Sequence, residues 1–317
     1  MAAIHVLGSL NMDLVCYSPR LPQPGETILG SQFETLPGGK GANQAVAAAR
    51  LGVATYLVGR VGRDNFGDRL IEAARTAGVN CQGINQDHHR PTGVATVVVD
   101  QQGQNQIVVV PGANGEVGEL ELQILADRLQ PGDLLLLQLE IPLQTVTAAA
   151  ALGRRRGIRV MLDPAPSPTN LPEHFYAELH LITPNQTEAS QLVGWSVQDP
   201  GSALQAARAL QQRGVETAIV KLGEGGVVVA SQEINFYQPA LAVNVVDTVA
   251  AGDAFNGGLA VALAEGKPLI EAVSFATAVA AYTVTQPGAQ TAMPERPPFQ
   301  HWLEGQSLPP SQVLTSA

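Results

Sequence analysis

The segment DTVAAGDAFNGG, residues 247–258, sets two carboxylates, Asp247 and Asp253, on either side of a run of small residues. A helical pattern follows over 253–265, so Asp253 falls at or near a helix N-terminus. An acid there can satisfy orphan amides and suits the helix dipole. A plain cap, however, does not require Ala250, Ala251 and Gly252 in front of it. Bare backbone of that kind lets a ligand approach closely, and a helix start offers free N–H groups to an anion. The combination predicts a phosphate resting on amides 250–253 with a carboxylate beside it. Phosphate and carboxylate repel unless a hydroxyl stands between them and gives its proton to the acid. With almost no side chain in front to shield it, Asp253 is expected to stand exposed to that hydroxyl.

Three other clusters could do chemistry. In GGKGANQAVAAARLG (38–52), two glycines precede an Ala-rich helix. A turn and tight packing account for part of this. The rest is explained if the Gly39 and Lys40 backbone and the Asn43 side chain face a polar ligand. In GSLNMDLV (8–15), Asn11 and Asp13 stand among apolar residues just after a first strand. They can be simple turn formers. They also lie where ligands bind in open α/β sheets, at the C-terminal ends of parallel strands. A carboxylate there can accept from two adjacent hydroxyls, as on a sugar, and Glu140 closes DLLLLQLE in the same position. In TPNQTEA (183–189), Asn185 and Glu188 are spaced N-x-x-E. A helix start with Glu in its first turn explains that spacing. A Mg²⁺-water or phosphate contact is the alternative, and the residues alone favour the helix start.

These residues need a frame, and the chain alternates strand-type with helix-type runs. AIHVLG (3–8), ATYLVG (54–59), DLLLLQL (133–139), IRVMLD (158–163), ELHLIT (178–183) and TAIVKL (217–222) are near-continuously apolar. Helical stretches such as 41–52, 65–78 and 200–214 lie among them, each closed by Gly. The alternation predicts an α/β fold: a doubly wound, mostly parallel sheet with helices on both faces. Two segments break it. Residues 19–39 are rich in Pro and Gly and extended, and GVATVVVDQQGQNQIVVV (93–110) is an antiparallel hairpin. A hairpin has no natural place in a parallel core, and a few strands alone are unstable. It is expected to cover a cleft or pair with another subunit. We therefore expect one domain over 1–304 with lid excursions at 12–38 and 91–112. The Pro-containing tail, 305–317, is expected to be mobile.

Bulk properties exclude several classes. Apolar residues make up 45% of the 317, enough for a sizeable core, and only 4% are aromatic. The net charge is −10 and no basic block exceeds Arg154-Arg155-Arg156, which disfavours a nucleic-acid face. Cys16 and Cys81 sit in no metal spacing and suggest reduced thiols. There is no signal-peptide pattern, and the longest apolar stretch, 272–284, is too short to span a bilayer. A cytoplasmic protein is expected. The chain carries no G-x-x-x-x-G-K-[ST], G-x-G-x-x-G or H-E-x-x-H, so familiar nucleotide folds and zinc-protease chemistry lack support.

In this order the four clusters resemble the ribokinase family of carbohydrate kinases, the pfkB family. DTVAAGD matches its C-terminal D-T-x-x-[AG]-G-D signature, GGKGANQAVAAARLG its N-terminal glycine signature, and GRVGRDNFG (59–67) a third recurrent block. N-x-D at 11–13, QLE (138–140), DPAP (163–166) and TPNQTEA resemble its ribokinase subgroup. The resemblance covers Ile4 to about Pro294. It implies Asp253 as catalytic base, with Ala250, Ala251 and Gly252 as anion hole. It implies Asn11, Asp13, Gly39, Lys40, Asn43 and Glu140, with Asp253, around a pentose. Asn185, Glu188, Lys221, Gly223, Gly225, Gly226, Gly252 and Thr277 would face ATP and its Mg²⁺. Asp247 and the backbone near Val249, Thr283, Gln286, Gly288 and Ala292 would hold an activating K⁺. Two positions depart from the pattern: Thr277 replaces a polar ring or amide near the adenine, and Ala292 a serine at the cation site.

The reaction so implied is ATP-dependent phosphorylation of a pentose primary hydroxyl, D-ribose to D-ribose 5-phosphate, by a homodimer joined through its lid sheet. Fructose, 2-keto-3-deoxygluconate or a nucleoside are rival substrates. A non-catalytic sugar- or nucleotide-binding regulator is a rival class, against which an intact Asp253 counts. A dinucleotide oxidoreductase lacks its glycine fingerprint.

Overall fold

The computed structural model describes residues 2–167 and 171–314. Strands are β1 (Ile4–Leu7), β2 (Asn11–Tyr17), β3 (Gln32–Gly38), β4 (Thr55–Gly62), β5 (Asn80–Asp87), β6 (Gly93–Val99), β7 (Asn105–Val110), β8 (Leu134–Leu137), β9 (Arg159–Leu162), β10 (Leu181–Ile182), β11 (Thr217–Lys221), β12 (Val227–Ser231), β13 (Asn235–Gln238) and β14 (Gln312–Val313). Helices are α1 (Lys40–Arg50), α2 (Asn65–Thr76), α3 (Glu119–Arg128), α4 (Leu143–Arg155), α5 (Glu173–Tyr176), α6 (Gln186–Val193), α7 (Pro200–Gln212), α8 (Ala251–Ala264), α9 (Leu269–Thr283) and α10 (Arg296–Glu304).

The expected doubly wound sheet is present. Its order is β14-β13-β12-β11-β10-β9-β8-β1-β4-β5. From β11 to β5 neighbouring strands are parallel, and β12, β13 and β14 add an antiparallel edge. The parallel strands are apolar on both faces because helices cover both. Ile4, Val6, Leu134 and Leu136 pack with α1, α2, α8, α9 and α10. Leu7, Leu135 and Leu137 pack on the other side with α3 to α7. Strand order reverses between β8 and β1, the place where open α/β sheets leave a crevice at the strands' carboxyl ends.

A separate sheet has the order β3-β2-β6-β7. The β6–β7 hairpin is antiparallel, as its sequence predicts, and Asp100 Oδ1 closes its turn by accepting from the amides of Gln102 and Gln104. β2 pairs with β3 antiparallel but with β6 in parallel, so the small sheet is mixed.

The tail differs from expectation. Gln312 and Val313 form β14 on the open edge of β13, Gln238 Nε2 donates to the Pro309 carbonyl, and Ser311 Oγ donates to Gln238 Oε1. Little periodicity is needed for a strand that short, so the sequence does not announce it. Residues 315–317 of the tail lie outside the described residues.

Two helices are drawn unusually close. α8 is apolar around its circumference because it is buried between α1 and α9. A Cβ on Gly257 would stand 2.5 Å from Ala47 Cβ and 3.0 Å from the Gln44 carbonyl. Gly41 in α1 likewise approaches Gly8 beyond β1, where a Cβ would meet backbone at 2.6 Å. Gly257→Ala therefore overpacks the α1–α8 seam. We expect a loss of about 1–3 kcal/mol in urea unfolding, together with lower turnover, because α1 carries side chains that reach into α8's first turn.

Candidate active site

The crevice at the β1–β8 switch holds the first group of residues. Glu140, just past β8, collects three donors on Oε2: Ser9 Oγ at 2.6 Å, the Lys40 amide at 3.0 Å and Asn11 Nδ2 at 3.4 Å. Asn11 is fixed from behind, since its Oδ1 accepts from Asn114 Nδ2 at 2.8 Å. Asn114 also exchanges two hydrogen bonds with the Leu10 backbone. Gly39, at φ 89°, makes the turn into α1, and a Cβ there would strike the Asn11 amide at 2.6 Å.

Asp13 on β2 has no hydrogen-bond partner among the described residues. Gly38 makes room for it: a Cβ at 38 would lie 2.2 Å from Asp13 Oδ2. Burial, then the charges of Glu140 and Asp253, push the Asp13 carboxyl up to about 7. The Lys40 ammonium likewise has no ion-pair or hydrogen-bond partner there. Burial opposes its charge, but Asp253, Asp163, Glu140 and Glu188 together hold its pKa above the ordinary value. A free carboxyl and a free ammonium, beside Asn11, make a lining suited to a polyhydroxylated ligand.

Asp253 is not a cap and is not exposed. It is the third residue of α8, its side chain 5% exposed. The shield comes from α1: Asn43 Nδ2 donates to Oδ2 and Gln44 Nε2 to Oδ1, both at 2.9 Å. Burial lifts the carboxyl above its usual range, Lys40 pulls it down, Asp163 pushes it up, and the two amides lower it. The helix start is bare. Ala250 occupies the N-cap position in the left-handed conformation (φ 59°), unlike any other non-glycine among the described residues. The amides of Ala250, Gly252 and Asp253 make no hydrogen bond among the described residues, whereas that of Ala251 reaches the Thr248 carbonyl at 3.3 Å. Three of the four amides expected at 250–253 are thus left without a partner among the described residues, as a helix start leaves them.

On the far side, Asn185 and Glu188 form a complete capping box for α6. This is the helix start their spacing favours. Burial, then Asp163, raise the Glu188 pKa, and Lys221 and Lys40 oppose the rise. Lys221 ends β11 and leads into the 223–226 turn. Gly223 and Gly226 there have positive φ, and Gly226 passes so close to the Gln238 carbonyl that a Cβ would stand 2.2 Å away. Gly225 closes the turn through its amide to the Leu222 carbonyl. Thr277 does not join this group through a polar atom. It is buried in α9 and its hydroxyl donates to the Val273 carbonyl.

The 247–250 loop is pinned by Asp247, whose carboxylate accepts from the amides of Val249 and Gly288, each at 2.9 Å. The Val284 carbonyl accepts from Val246 and Asp247, and the Thr283 carbonyl from the Gln286 amide. Ala292 is buried and offers no side-chain oxygen. Asp247, Val249, Gln286 and Gly288 are thus joined in one oxygen-rich loop pair.

The pfkB family of carbohydrate kinases matches the chain over residues 1–296. The chain belongs to that family. A ribokinase of Haemophilus influenzae is 39% identical over 301 residues, covering 95% of this chain and 98% of its own. A deoxyribokinase of Salmonella typhimurium is 35% identical over 300 residues, with coverage of 95% and 98%. The solved structure of an Arabidopsis thaliana ribokinase complexed with ribose and ATP has a TM-score of 0.88 at 36% identity, over 96% of this chain and 99% of that one. The pfkB chain is therefore an ATP-dependent sugar kinase.

Sequence reading missed Ser9, Gly38, Gln44, Asn114 and Asp163 in this pfkB site. Ser9 and Gln44 lie inside clusters already singled out, but their partners are remote in sequence, so only the fold reveals their bonds. Asn114 carries no signal beyond PGAN after the hairpin.

The Asp13 shift gives a pH prediction. An ionised carboxylate accepts from two sugar hydroxyls through two charged oxygens, whereas protonation turns one oxygen into a donor and removes the charge. Since its pKa is raised to about 7, sugar affinity should fall as pH drops below that value. Titration calorimetry across this range should show that slope, and Asp13→Asn should bind weakly and without it.

Proposed function

We propose that the chain transfers the γ-phosphoryl group of MgATP to the primary hydroxyl of D-ribose, giving D-ribose 5-phosphate and ADP. The observation that carries this is the Asp253 carboxylate held in the first turn of α8 beside unbonded amides. The ribokinase relatives and the structural neighbour complexed with ribose and ATP favour ribose as acceptor.

In this reading Asn11, Asp13, Gly39, Lys40, Asn43 and Glu140 hold the sugar with its primary hydroxyl toward Asp253. The hydroxyl oxygen attacks the γ-phosphorus, a new O–P bond forms, and the bond to the bridging β–γ oxygen breaks with its electrons leaving on ADP. The hydroxyl proton passes to Asp253. The transferred group spreads charge over its oxygens, so positioning and electrostatics carry most of the catalysis. The amides at Ala250, Gly252 and Asp253 and the α8 dipole meet that charge. Mg²⁺ would arrive with ATP. Glu188, Asn185, Lys221 and the 223–226 turn form the nucleotide side.

Asp247, whose carboxylate ties the 249 and 288 backbone together, and the carbonyls of the 249 and 283–288 backbone are the proposed oxygen ligands of an alkali cation. K⁺ there would fix the loop that presents the anion site. The small sheet is the proposed lid and dimer contact. Ile107, Val108, Val109 and Val110 on its edge strand are 44–65% exposed, an apolar edge open on both faces of the sheet. With ATP as donor, the proposed compartment is the cytoplasm. No helix among the described residues is long and apolar enough to cross a membrane.

ADP release measured over a panel of sugars tests the acceptor. Ribose should give the highest kcat/KM, and a higher value for 2-deoxyribose or fructose would reassign it. Asp253→Asn should lower kcat by about 10²- to 10⁴-fold while calorimetric sugar affinity changes little. Turnover near wild type would refute the base. Activity in KCl should exceed that in NaCl at equal ionic strength, and Asp247→Ala should erase the difference.

A further inference from the structure

The buried polar chain does not end at Asp253. Gln44 is fully buried, and its Nε2 donates both to Asp253 Oδ1 and to Asp163 Oδ2, each at 2.9 Å. Its Oε1 accepts from Gln138 Nε2 at 2.6 Å, which fixes which way the amide faces. Asp163, just past β9, receives the Lys221 ammonium on its other oxygen at 3.0 Å. This is the ion pair of Lys221 among the described residues, with the carboxylate end almost wholly buried and the lysine end reaching solvent. The ammonium also lies 3.6 Å from where a Cβ on Gly252 would stand. It therefore flanks the unbonded amides of α8's first turn, where the transferred group is expected to rest.

Lysine is a flexible stem with a point charge, so its anchor decides where that charge sits. A buried carboxylate, in turn, needs a partner. We propose that Asp163 is a positioning residue for phosphoryl transfer: it anchors the Lys221 ammonium beside the α8 anion site and, through Gln44, orients the Asp253 carboxylate. Base and cation are then set by one buried group and cannot drift independently. The ammonium keeps Asp163 as partner in the free enzyme and turns one of its remaining protons to a phosphoryl oxygen during transfer.

Asp253 faces Lys40, Asn43 and Gln44 from α1, Asp163 from the end of β9 and Asp13 from β2. The Asp163 charge adds to burial in keeping Asp253 basic, and Lys40 opposes both. Two substitutions should therefore shift the base in opposite directions. Asp163→Asn removes a negative neighbour, so the acid limb of the kcat–pH profile should move to lower pH. Lys221→Gln leaves Asp163 unneutralised, so the limb should move to higher pH.

This rests on the kinase reading above, and the wild-type enzyme separates the two. A wild type whose ADP release is stimulated by none of the sugars defeats that reading. Given an active wild type, Asp163→Asn should lower kcat about 10- to 100-fold, with sugar KM changed by less than about twofold. A kcat and profile equal to wild type would overturn the proposal. So would a lowered kcat with an unmoved limb, the result of a purely structural role. Thermal unfolding checks that the variant is folded. Should Asp163→Asn fail to fold, Lys221→Gln decides alone: a limb that does not rise overturns the proposal.

Discussion

The close approach of α1 and α8 is the constraint on which the site depends. Glycine at 257 and alanine at 47 let the helices meet. Only at that separation do the short arms of Asn43 and the neighbouring Gln44 reach a carboxylate on the other helix. Without them Asp253 would be a buried acid with no donors, which is costly. The turn into α8 is bound to the same geometry. Ala250 accepts a left-handed conformation, a local strain of about 1–3 kcal/mol, and the surrounding packing holds it there. What that strain leaves behind is a helix start with three amides that bond to nothing in the described chain.

The charges follow from this compactness. Asp13, Glu140, Asp163, Glu188 and Asp253 converge with Lys40 and Lys221. Acids outnumber bases, but burial is the main reason the pKa values of Asp13, Glu188 and Asp253 are raised, and each also feels at least one neighbouring acid. Each lysine has a distinct task in this arrangement. Lys40 has no single partner and its charge is felt by four acids at once. Lys221 is held on one acid and faces the anion site. A neutral polyol suits the first region and a polyphosphate with its divalent ion the second.

Much of the frame was legible in the sequence. The apolar runs of β1, β8, β9 and β11, the Ala-rich α1 and the β6–β7 hairpin all follow local periodicity. β5 escaped because NCQGINQD lies at the sheet edge, half-exposed and without an apolar run. The apolar run ELHLIT (178–183) contains β10 but is longer than it, since only Leu181–Ile182 form the strand. The segments DTVAAGD, GGKGAN and GSLNMD, which the fold brings together around Glu140 and Asp253, could be picked out as well. Their surroundings could not. Asp253 looked unshielded because its neighbours in the chain are small, but its shield lies 209 and 210 residues away. Asp163 and Gln44 lie in segments the sequence singles out, DPAP and GGKGANQAVAAARLG, but nothing local announces their bond, which spans 119 residues.

The residues proposed to hold the sugar are divided between two bodies. Asn11 is the first residue of β2 and pairs with Gly93, the first residue of β6, so it sits at the root of the small sheet. A Cβ on Gly93 would stand 2.4 Å from Asn11 Oδ1 and 2.3 Å from Asn114 Nδ2, so strand, side chain and root are packed as one piece. The root is fastened to the main body by Asp64. Its carboxylate caps α2 through the Gly67 amide and accepts from both the amide and the hydroxyl of Thr92. Asp253, by contrast, belongs to α8. A ligand held by Asn11 and Asp13 on one side and Asp253 on the other spans the two. Any displacement of the small sheet then moves the sugar's anchors relative to the base. Binding energy gained along β2 is thereby convertible into alignment at Asp253, the form in which remote contacts raise kcat rather than merely lower KM.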